Sequence, residues 1–198
     1  NDVTHLGFFD IPLVSNIPNM VYLAPTNKEE YFAMLEWGIR QNEHPVAIRV
    51  PANEVITTGN TVEEDYSNLN HYKVEHYGTE VAILALGSFF RLGESVVGAL
   101  KDKAGIDATL INPRYITGVD EELLNELKKN HRLVVTLEDG ALDGGFGEKI
   151  TRYYGASNMK VLNFGAKKEF VDRFDVQEFL RKNHLTTELI TEDIVNHL

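Results

Sequence analysis

The amino-acid sequence predicts an α/β protein made of two α/β units, the first with a parallel sheet. The first observation is that apolar segments of strand length alternate with segments of helical periodicity on both sides of residue 60. The second is that the two earliest apolar segments, 20–24 and 46–50, each run directly into a proline, which suits short buried strands. The third is a polar, acidic stretch at 59–75 that separates the two regions and predicts a linker.

Residues 1–58 predict the first unit, in the order strand, helix, strand. Apolar side chains at helical spacing predict a helix at 27–41 between the two strands. Thr26 and Glu29 have the spacing of a capping box at the start of this helix. A strand, a helix and a second strand joined by short loops form the βαβ unit of a parallel sheet.

The second unit is predicted from residue 76 to the C-terminus. Strands are predicted at 81–86, 108–111, 133–137 and 160–163, with an edge strand at about 72–77. Helices are predicted at 90–104, 120–130 and 147–154. Asp175 is predicted to cap a helix that ends at residue 182, and Thr191 to cap the last helix.

The composition excludes several classes of function. The chain has 198 residues and a formal net charge of −11, which disfavours a nucleic-acid partner. No apolar segment approaches the roughly 18 residues that a membrane helix needs, so no membrane partner is expected. The absence of cysteine excludes disulfides and thiolate chemistry. It also fits a reducing compartment, and we expect a cytoplasmic protein.

Two residues stand where α/β proteins bind ligands, at the carboxyl ends of predicted strands. His5 lies in a segment that we expect to follow a strand located before Asn1. Arg49 ends the strand that precedes Pro51, so it either snorkels at a sheet edge or points into a pocket for an anion. The other histidines show no common metal-ligand spacing and predict structural roles. Because the chain opens without Met or the features of a signal peptide, we expect it to be part of a longer protein.

The glycine-rich segment at 144–147 imitates half of a dinucleotide-binding fingerprint. It follows a predicted strand and opens a predicted helix, but Ile150 occupies the position of the third glycine. The carboxylates of Glu138 and Asp139, which precede the glycines, would repel a pyrophosphate group. We therefore interpret the glycines as positions of close helix–strand packing and not as a nucleotide site.

Four segments of the chain have amino-acid sequences that are more distinctive than a general α/β pattern. They read Thr-His-Leu-Gly-Phe-Phe-Asp at 4–10, Ile-Pro-Asn-Met-Val at 17–21 with Ala-Pro-Thr at 24–26, Pro-Val-Ala-Ile-Arg-Val-Pro at 45–51, and Leu-Glu-Asp-Gly at 137–140 before the glycines. In this order they closely resemble the 1-deoxy-D-xylulose-5-phosphate synthases, thiamine-diphosphate enzymes of the transketolase group. The resemblance covers essentially the whole chain.

The resemblance implies that the chain is roughly the last third of a three-domain enzyme. It implies the C-terminal half of a thiamine-diphosphate pyrimidine-binding domain at 1–58, a linker at 59–75 and a complete transketolase C-terminal-like α/β domain at 76–198. The implied parent joins pyruvate to glyceraldehyde 3-phosphate with loss of CO2. Its cofactors would be thiamine diphosphate and Mg²⁺, whose main binding motifs would lie upstream of this chain. The implied partners are the rest of the parent chain, a homodimer partner and small-molecule substrates.

The resemblance also implies roles for the two candidate residues. His5 matches a catalytic histidine that lines the substrate channel, and Arg49 matches an arginine that grips the substrate phosphate. The family usually has a second arginine where this chain has Ala52, which leaves the acceptor aldehyde open. We expect the chain alone to be inactive. The alternatives are a transketolase or oxo-acid dehydrogenase β-type paralogue, and a non-catalytic assembly module.

Overall fold

The first unit contains a two-stranded parallel sheet and two helices. The structure is a computed structural model that describes residues 7–51 and 54–198. The elements of this unit are α1 (Asp10–Val14), β1 (Val21–Leu23), α2 (Lys28–Arg40) and β2 (Val46–Ile48). Strands β1 and β2 pair in parallel, with Tyr22 opposite Ala47. The predicted strand–helix–strand order is thus confirmed, whereas the short helix α1 was not predicted.

The second unit is built on a five-stranded sheet. Its strands are β3 (Lys73–His76), β4 (Glu80–Ala85), β5 (Thr109–Asn112), β6 (His131–Ala141) and β7 (Lys160–Ala166). Their spatial order is β3-β5-β4-β6-β7, with β3 antiparallel to β5 and the other neighbours parallel. The predicted edge strand is therefore confirmed as β3, the antiparallel strand at one end of the sheet.

Five helices flank this sheet. They are α3 (Phe90–Ala104), α4 (Glu121–Leu127), α5 (Phe146–Tyr154), α6 (Val176–Lys182) and α7 (Thr187–His197), and a 3-10 turn at Gly87–Phe89 precedes α3. Asp175 caps α6 as predicted, because its side chain accepts a hydrogen bond from the backbone N–H of Glu178. The α/β class predicted from the sequence is confirmed.

Two predicted caps are wrong in position. Helix α2 is capped by Asn27, whose side chain accepts a hydrogen bond from the N–H of Glu30, so the N-cap lies one residue later than Thr26. Helix α7 begins after Thr186, and Thr191 lies inside it with its hydroxyl donating to a backbone carbonyl one turn earlier. Ser and Thr make this internal bond as readily as a cap, so residue type alone did not locate the helix start.

The five-stranded sheet is buried on both faces. In β4, Ala82 and Leu84 pack into one apolar cluster, whereas Val81 and Ile83 pack into another on the opposite face. Successive side chains of a strand point to opposite faces, so helices on both sides of the sheet turn this strand into a continuous apolar segment. This is why strand-length apolar segments in the second half of the sequence located the central strands correctly.

The two units share a core and backbone hydrogen bonds. The backbone N–H of Ala24 donates to the carbonyl of Arg114 at 2.8 Å, and the N–H of Ile116 donates to the carbonyl of Tyr22 at 2.8 Å. Tyr66, in the segment predicted as a linker, is 1% exposed and packs between the units. The units are therefore fastened along β1, and the connecting segment is part of that contact.

None of the helices in the described residues combines the length and the apolar character needed to cross a membrane.

Candidate functional site

The carboxyl ends of strands from both units converge on Arg49. This residue directly follows β2, and its backbone N–H donates to the carbonyl of Leu23 at 2.8 Å, which extends the pairing with β1 by one residue. Asp10 approaches from the start of α1, and Asp139 approaches from β6, where the pairing with β7 shifts register between Leu137 and Ala141. The irregularity in β6 brings Asp139 within reach of the first unit.

The guanidinium of Arg49 is held by two carboxylates and a backbone carbonyl. Its Nε donates to Oδ2 of Asp10 at 2.6 Å, and Nη1 donates to Oδ1 of Asp139. Nη2 donates to the carbonyl of Gly7 at 2.8 Å and lies 3.4 Å from Oδ1 of Asp10. The side chain is 13% exposed. Since guanidinium has five N–H donors, these contacts leave one N–H of Nη1 for another acceptor.

Two hydroxyl groups complete the hydrogen bonds of the carboxylates. The hydroxyl of Tyr22 in β1 donates to Oδ2 of Asp10 at 2.5 Å. The hydroxyl of Ser88, in the 3-10 turn after β4, donates to Oδ2 of Asp139. Both aspartates are thus ordered by a charged partner on one side and a hydroxyl on the other. Residues from both units form one polar site, which we call the Arg49 site: Asp10, Tyr22, Arg49, Ser88 and Asp139.

Charge and burial in the Arg49 site shift the pKa values of Arg49 and Tyr22. Burial alone would lower the pKa of Arg49, but the neighbouring carboxylates of Asp139 and Asp10 outweigh burial and raise it. The pKa of Tyr22 is raised, first by burial and then by its hydrogen bond to Asp10. Arg49 therefore stays charged and Tyr22 stays a hydrogen-bond donor throughout the physiological pH range.

A buried glutamate lies next to the Arg49 site. Glu138 is fully buried in β6, and its two carboxylate oxygens accept hydrogen bonds from the backbone N–H groups of Phe146 and Gly147, each at 2.8 Å. These N–H groups belong to the first turn of α5. N–H groups in the first turn of a helix have no hydrogen-bond partner within the helix. Burial raises the pKa of Glu138 to about 7, although these two hydrogen bonds act in the opposite direction.

The glycine-rich segment serves packing, as predicted. A Cβ atom on Gly147 would lie 2.6 Å from Oγ1 of Thr136 and 2.8 Å from the side chain of Asn163. Helix α5 can approach β6 and β7 this closely only because the position lacks a side chain.

Within residues 7–51 and 54–198, the start of α5 does not fit a diphosphate, and no cluster of side chains fits its metal ion. The N–H groups of Phe146 and Gly147 already bind the carboxylate of Glu138, which would also repel an anion. Across residues 7–51 and 54–198, no group of three or more His, Asp or Glu side chains is arranged to hold a metal ion. We therefore derive no step through thiamine diphosphate or Mg²⁺ from this chain.

The structure describes one of the two predicted site residues, Arg49, and the roles predicted for both stay predictions. His5 lies outside the described residues, and Gly7, two positions later, is the nearest described part of its segment. Arg49 points inward to anionic partners, but these partners are carboxylates of the protein itself. Sequence reasoning assigned no role to Asp10, Tyr22 or Ser88. Asp10 closes the Thr-His-Leu-Gly-Phe-Phe-Asp segment, which was the one signal that could have pointed to it.

The fold and the Arg49 site define an α/β protein whose two units meet at the carboxyl ends of their parallel strands. Residues 70–190 match the family described as "Transketolase, C-terminal domain". The chain belongs to this transketolase C-terminal domain family.

Relatives extend the similarity beyond the matched residues. A protein of Clostridium tetani (strain Massachusetts / E88) named 1-deoxy-D-xylulose-5-phosphate synthase is 32% identical over 194 residues, which are 97% of this chain and 31% of that protein. A protein of the same name from Lachnoclostridium phytofermentans is 34% identical over 196 residues, again 31% of its length. The resemblance inferred from the sequence is confirmed. This chain spans about a third of the length of these relatives.

Solved structures share the fold. A chain described as "Split gene transketolase, inactive beta4 tetramer" superposes with a TM-score of 0.80 at 24% identity and covers 98% of this chain and 62% of its own length. A transketolase mutant from Pichia stipitis superposes with a TM-score of 0.74 at 17% identity, with 98% of this chain and 27% of that one covered. These structures support the arrangement of both units.

Proposed function

We propose that this chain is the C-terminal part of a thiamine-diphosphate-dependent synthase. The parent would condense pyruvate with glyceraldehyde 3-phosphate to 1-deoxy-D-xylulose 5-phosphate with loss of CO2, a step toward isoprenoid precursors and thiamine. The observation that carries this proposal is the alignment of 97% of the chain with 31% of a protein named for that synthase. Within the parent, residues 1–58 would complete the pyrimidine-binding domain and residues 76–198 would form the C-terminal domain. Residues 59–75 would be the linker between these two domains.

The cofactor belongs to the rest of the parent in this proposal. The described residues offer neither a diphosphate cradle nor a cluster of metal ligands. Thiamine diphosphate and Mg²⁺ would therefore be held by the remaining part of the parent chain or by a homodimer partner. We accordingly propose that the isolated chain is inactive, and that the parent works in the cytoplasm.

The proposal gives His5 and Arg49 different tasks. His5 would line the substrate channel and exchange protons or hydrogen bonds with the bound intermediate. Arg49 would contact the phosphate of the acceptor, and its geometry supports one such contact, because one N–H of Nη1 is not used by Asp10, Asp139 or Gly7. A single charge-assisted hydrogen bond binds well only when its N–H points at the acceptor oxygen. Acceptor binding would therefore depend on how Arg49 is held.

The test is CO2 release from pyruvate by the full-length gene product with thiamine diphosphate and Mg²⁺. The assay is run with and without glyceraldehyde 3-phosphate. Release that depends on this aldehyde supports the synthase. Bound cofactor without coupled release contradicts it and directs the search to other acceptors.

Two other functions are separated by simple measurements. The likeness to a split-gene transketolase chain favours a transketolase or oxo-acid dehydrogenase β-type paralogue as the second candidate. Use of a sugar-phosphate donor in place of pyruvate would identify a transketolase. A non-catalytic assembly module is the third candidate. It predicts self-association of the isolated chain, so a strictly monomeric mass at all concentrations would argue against it.

A further inference from the structure

We propose that Asp139 is a positioning residue for the acceptor site, through which the C-terminal domain fixes the orientation of Arg49 and of the segment that follows His5. This inference rests on the proposed function, because it concerns the same site. It assigns to the second unit a part in substrate binding that goes beyond packing against the first. Asp139 acts through Arg49 and is not itself placed against the substrate.

The contacts form a continuous path from the second unit to the first. Ser88 donates to Oδ2 of Asp139, Oδ1 of Asp139 accepts from Nη1 of Arg49, and Nη2 of Arg49 donates to the carbonyl of Gly7 at 2.8 Å. Gly7 lies two residues after His5. Each link is a hydrogen bond to a charged group, the class of hydrogen bond with the largest net stabilisation.

A second contact from the same strand holds the next residue. The backbone N–H of Ala141 in β6 donates to the carbonyl of Phe8 at 2.9 Å. The register shift between Leu137 and Ala141 places both Asp139 and the N–H of Ala141 toward the first unit. The irregular part of β6 therefore holds two successive carbonyl groups of the segment after His5, one directly and one through Arg49.

Asp139 is the residue of this path whose charge controls the orientation of the Arg49 guanidinium. Its side chain is 22% exposed, and Arg49 is its only ion-pair partner among residues 7–51 and 54–198. Asp10 binds Arg49 from the first unit itself and would keep the guanidinium charged and in place near β2 if Asp139 were neutralised. Loss of the Asp139 charge would weaken the hold on Nη1, so the guanidinium could tilt on its remaining contacts with Asp10 and the carbonyl of Gly7. Asp139 thus sets orientation, whereas Asp10 sets position.

The test compares three variants of the full-length parent by steady-state kinetics. Asp139→Asn keeps the shape of the side chain and removes its charge, and we expect the KM for the aldehyde to rise about tenfold. The kcat and the KM for pyruvate should stay within about twofold, since the reacting atoms are not touched. Asp139→Glu should restore most of the lost affinity. Asp143→Asn is the matched control, because among the described residues its exposed carboxylate pairs only with Lys168, at 3.6 Å.

A lower kcat in Asp139→Asn, together with equal changes in the KM for the aldehyde and the KM for pyruvate, would overturn the proposal. A general structural defect produces that unselective pattern. Unchanged kinetics would overturn it as well. If Asp139→Asn does not fold, Ser88→Ala provides the milder variant, since it removes one hydrogen bond to Asp139 and no charge. The same selective rise in the KM for the aldehyde, smaller in size, is then expected.

A measurement on the 198-residue chain separates this proposal from the proposed function. Amide hydrogen exchange of residues 7–11 should be at least about fivefold faster in Asp139→Asn than in Asp143→Asn, because the segment loses one of its two anchors. Unchanged exchange overturns the positioning role whatever the parent catalyses. Faster exchange, together with a parent that shows no synthase activity, supports the role of Asp139 in holding residues 7–11 through Arg49. That outcome rejects only the assigned reaction.

Discussion

The carboxylate of Glu138 caps helix α5 by accepting the backbone N–H of Gly147 at 2.8 Å, although the two residues belong to different elements. The same glycine lets the helix lie against the side chains of Thr136 and Asn163. A buried acid and an absent side chain thus act together to fix α5 beside β6. The nucleotide-like glycine pattern is explained by this contact, because the helix N-terminus is already occupied by an anion of the protein.

Gly147→Ala should lower the free energy of unfolding by about 2–4 kcal/mol, because the new Cβ would overlap Thr136 and Asn163. Gly98→Ala is the matched control, since Gly98 lies inside α3 and a Cβ there would meet no atom within 4 Å beyond its chain neighbours and the backbone of its own helix. That control should raise stability by about 0.5–1 kcal/mol through helix propensity. Urea unfolding of both variants measures the difference, and equal effects would show that α5 does not need close approach.

Glu138→Gln should remove a pH dependence from folding stability. The pKa of Glu138 is raised by burial to about 7 in the folded chain from 4.5, so the folded chain binds this proton more tightly than the unfolded chain. Stability from this group is therefore greatest at low pH, falls as the pH rises from about 4.5 to about 7, and is level above that. Between pH 8 and pH 5 the wild-type chain should gain about 2 kcal/mol or slightly more relative to the variant.

The measurement for Glu138 is chemical unfolding at several pH values. The comparison uses the slope of stability against pH, so a constant loss in the variant from its altered hydrogen bonds does not matter. Parallel curves for the two proteins would contradict a raised pKa at this position.

The alternation of strands and helices in the second unit could be predicted from sequence because its sheet is buried on both faces. Each strand such as β4 then becomes an apolar segment, and each flanking helix shows an apolar stripe. Helix α1 escaped prediction because five residues, one of them proline, give too short a pattern. Its position depends on tertiary contacts, with Ile11 fully buried in the shared core.

The Arg49 site could be predicted only in part, because its members are far apart in sequence. Asp10 and Arg49 are separated by 39 positions, and Arg49 and Asp139 by 90. A strand-end arginine indicated an anionic partner, but only the contact between the two units shows that carboxylates supply it. The register shift in β6 that brings Asp139 forward leaves no mark in the hydrophobic pattern. The role of His5 stays a prediction.

Arg49→Met should lower the free energy of unfolding by about 3 kcal/mol, because it leaves two largely buried carboxylates without their cation. Adding Asp139→Asn to this variant should restore about 1 kcal/mol, since one of the uncompensated charges is removed. The sign of this coupling distinguishes a charge effect from simple loss of packing.

The control for this double-mutant cycle of Arg49 and Asp139 is Arg40→Met, which breaks an ion pair with Glu36 on the exposed face of α2. Exposed pairs contribute at most about 1 kcal/mol, so a small change is expected. Thermal and urea unfolding of the four variants provide the values. Additive losses in Arg49→Met and Asp139→Asn would contradict the described ion pair.

Tyr66 and Tyr115 offer a matched pair of hydroxyl deletions between the two units. The hydroxyl of Tyr66 is buried and has no hydrogen-bond partner among the described residues, whereas that of Tyr115 donates to the carbonyl of Tyr66 at 2.8 Å. Tyr66→Phe should therefore raise the free energy of unfolding by about 1 kcal/mol, because a buried group without a partner is removed. Tyr115→Phe should lower it by about 1–2 kcal/mol, because the carbonyl of Tyr66 then loses its partner. Urea unfolding of both variants checks the opposite signs, and a loss of stability in Tyr66→Phe equal to that in Tyr115→Phe would mean that the Tyr66 hydroxyl is bonded in solution.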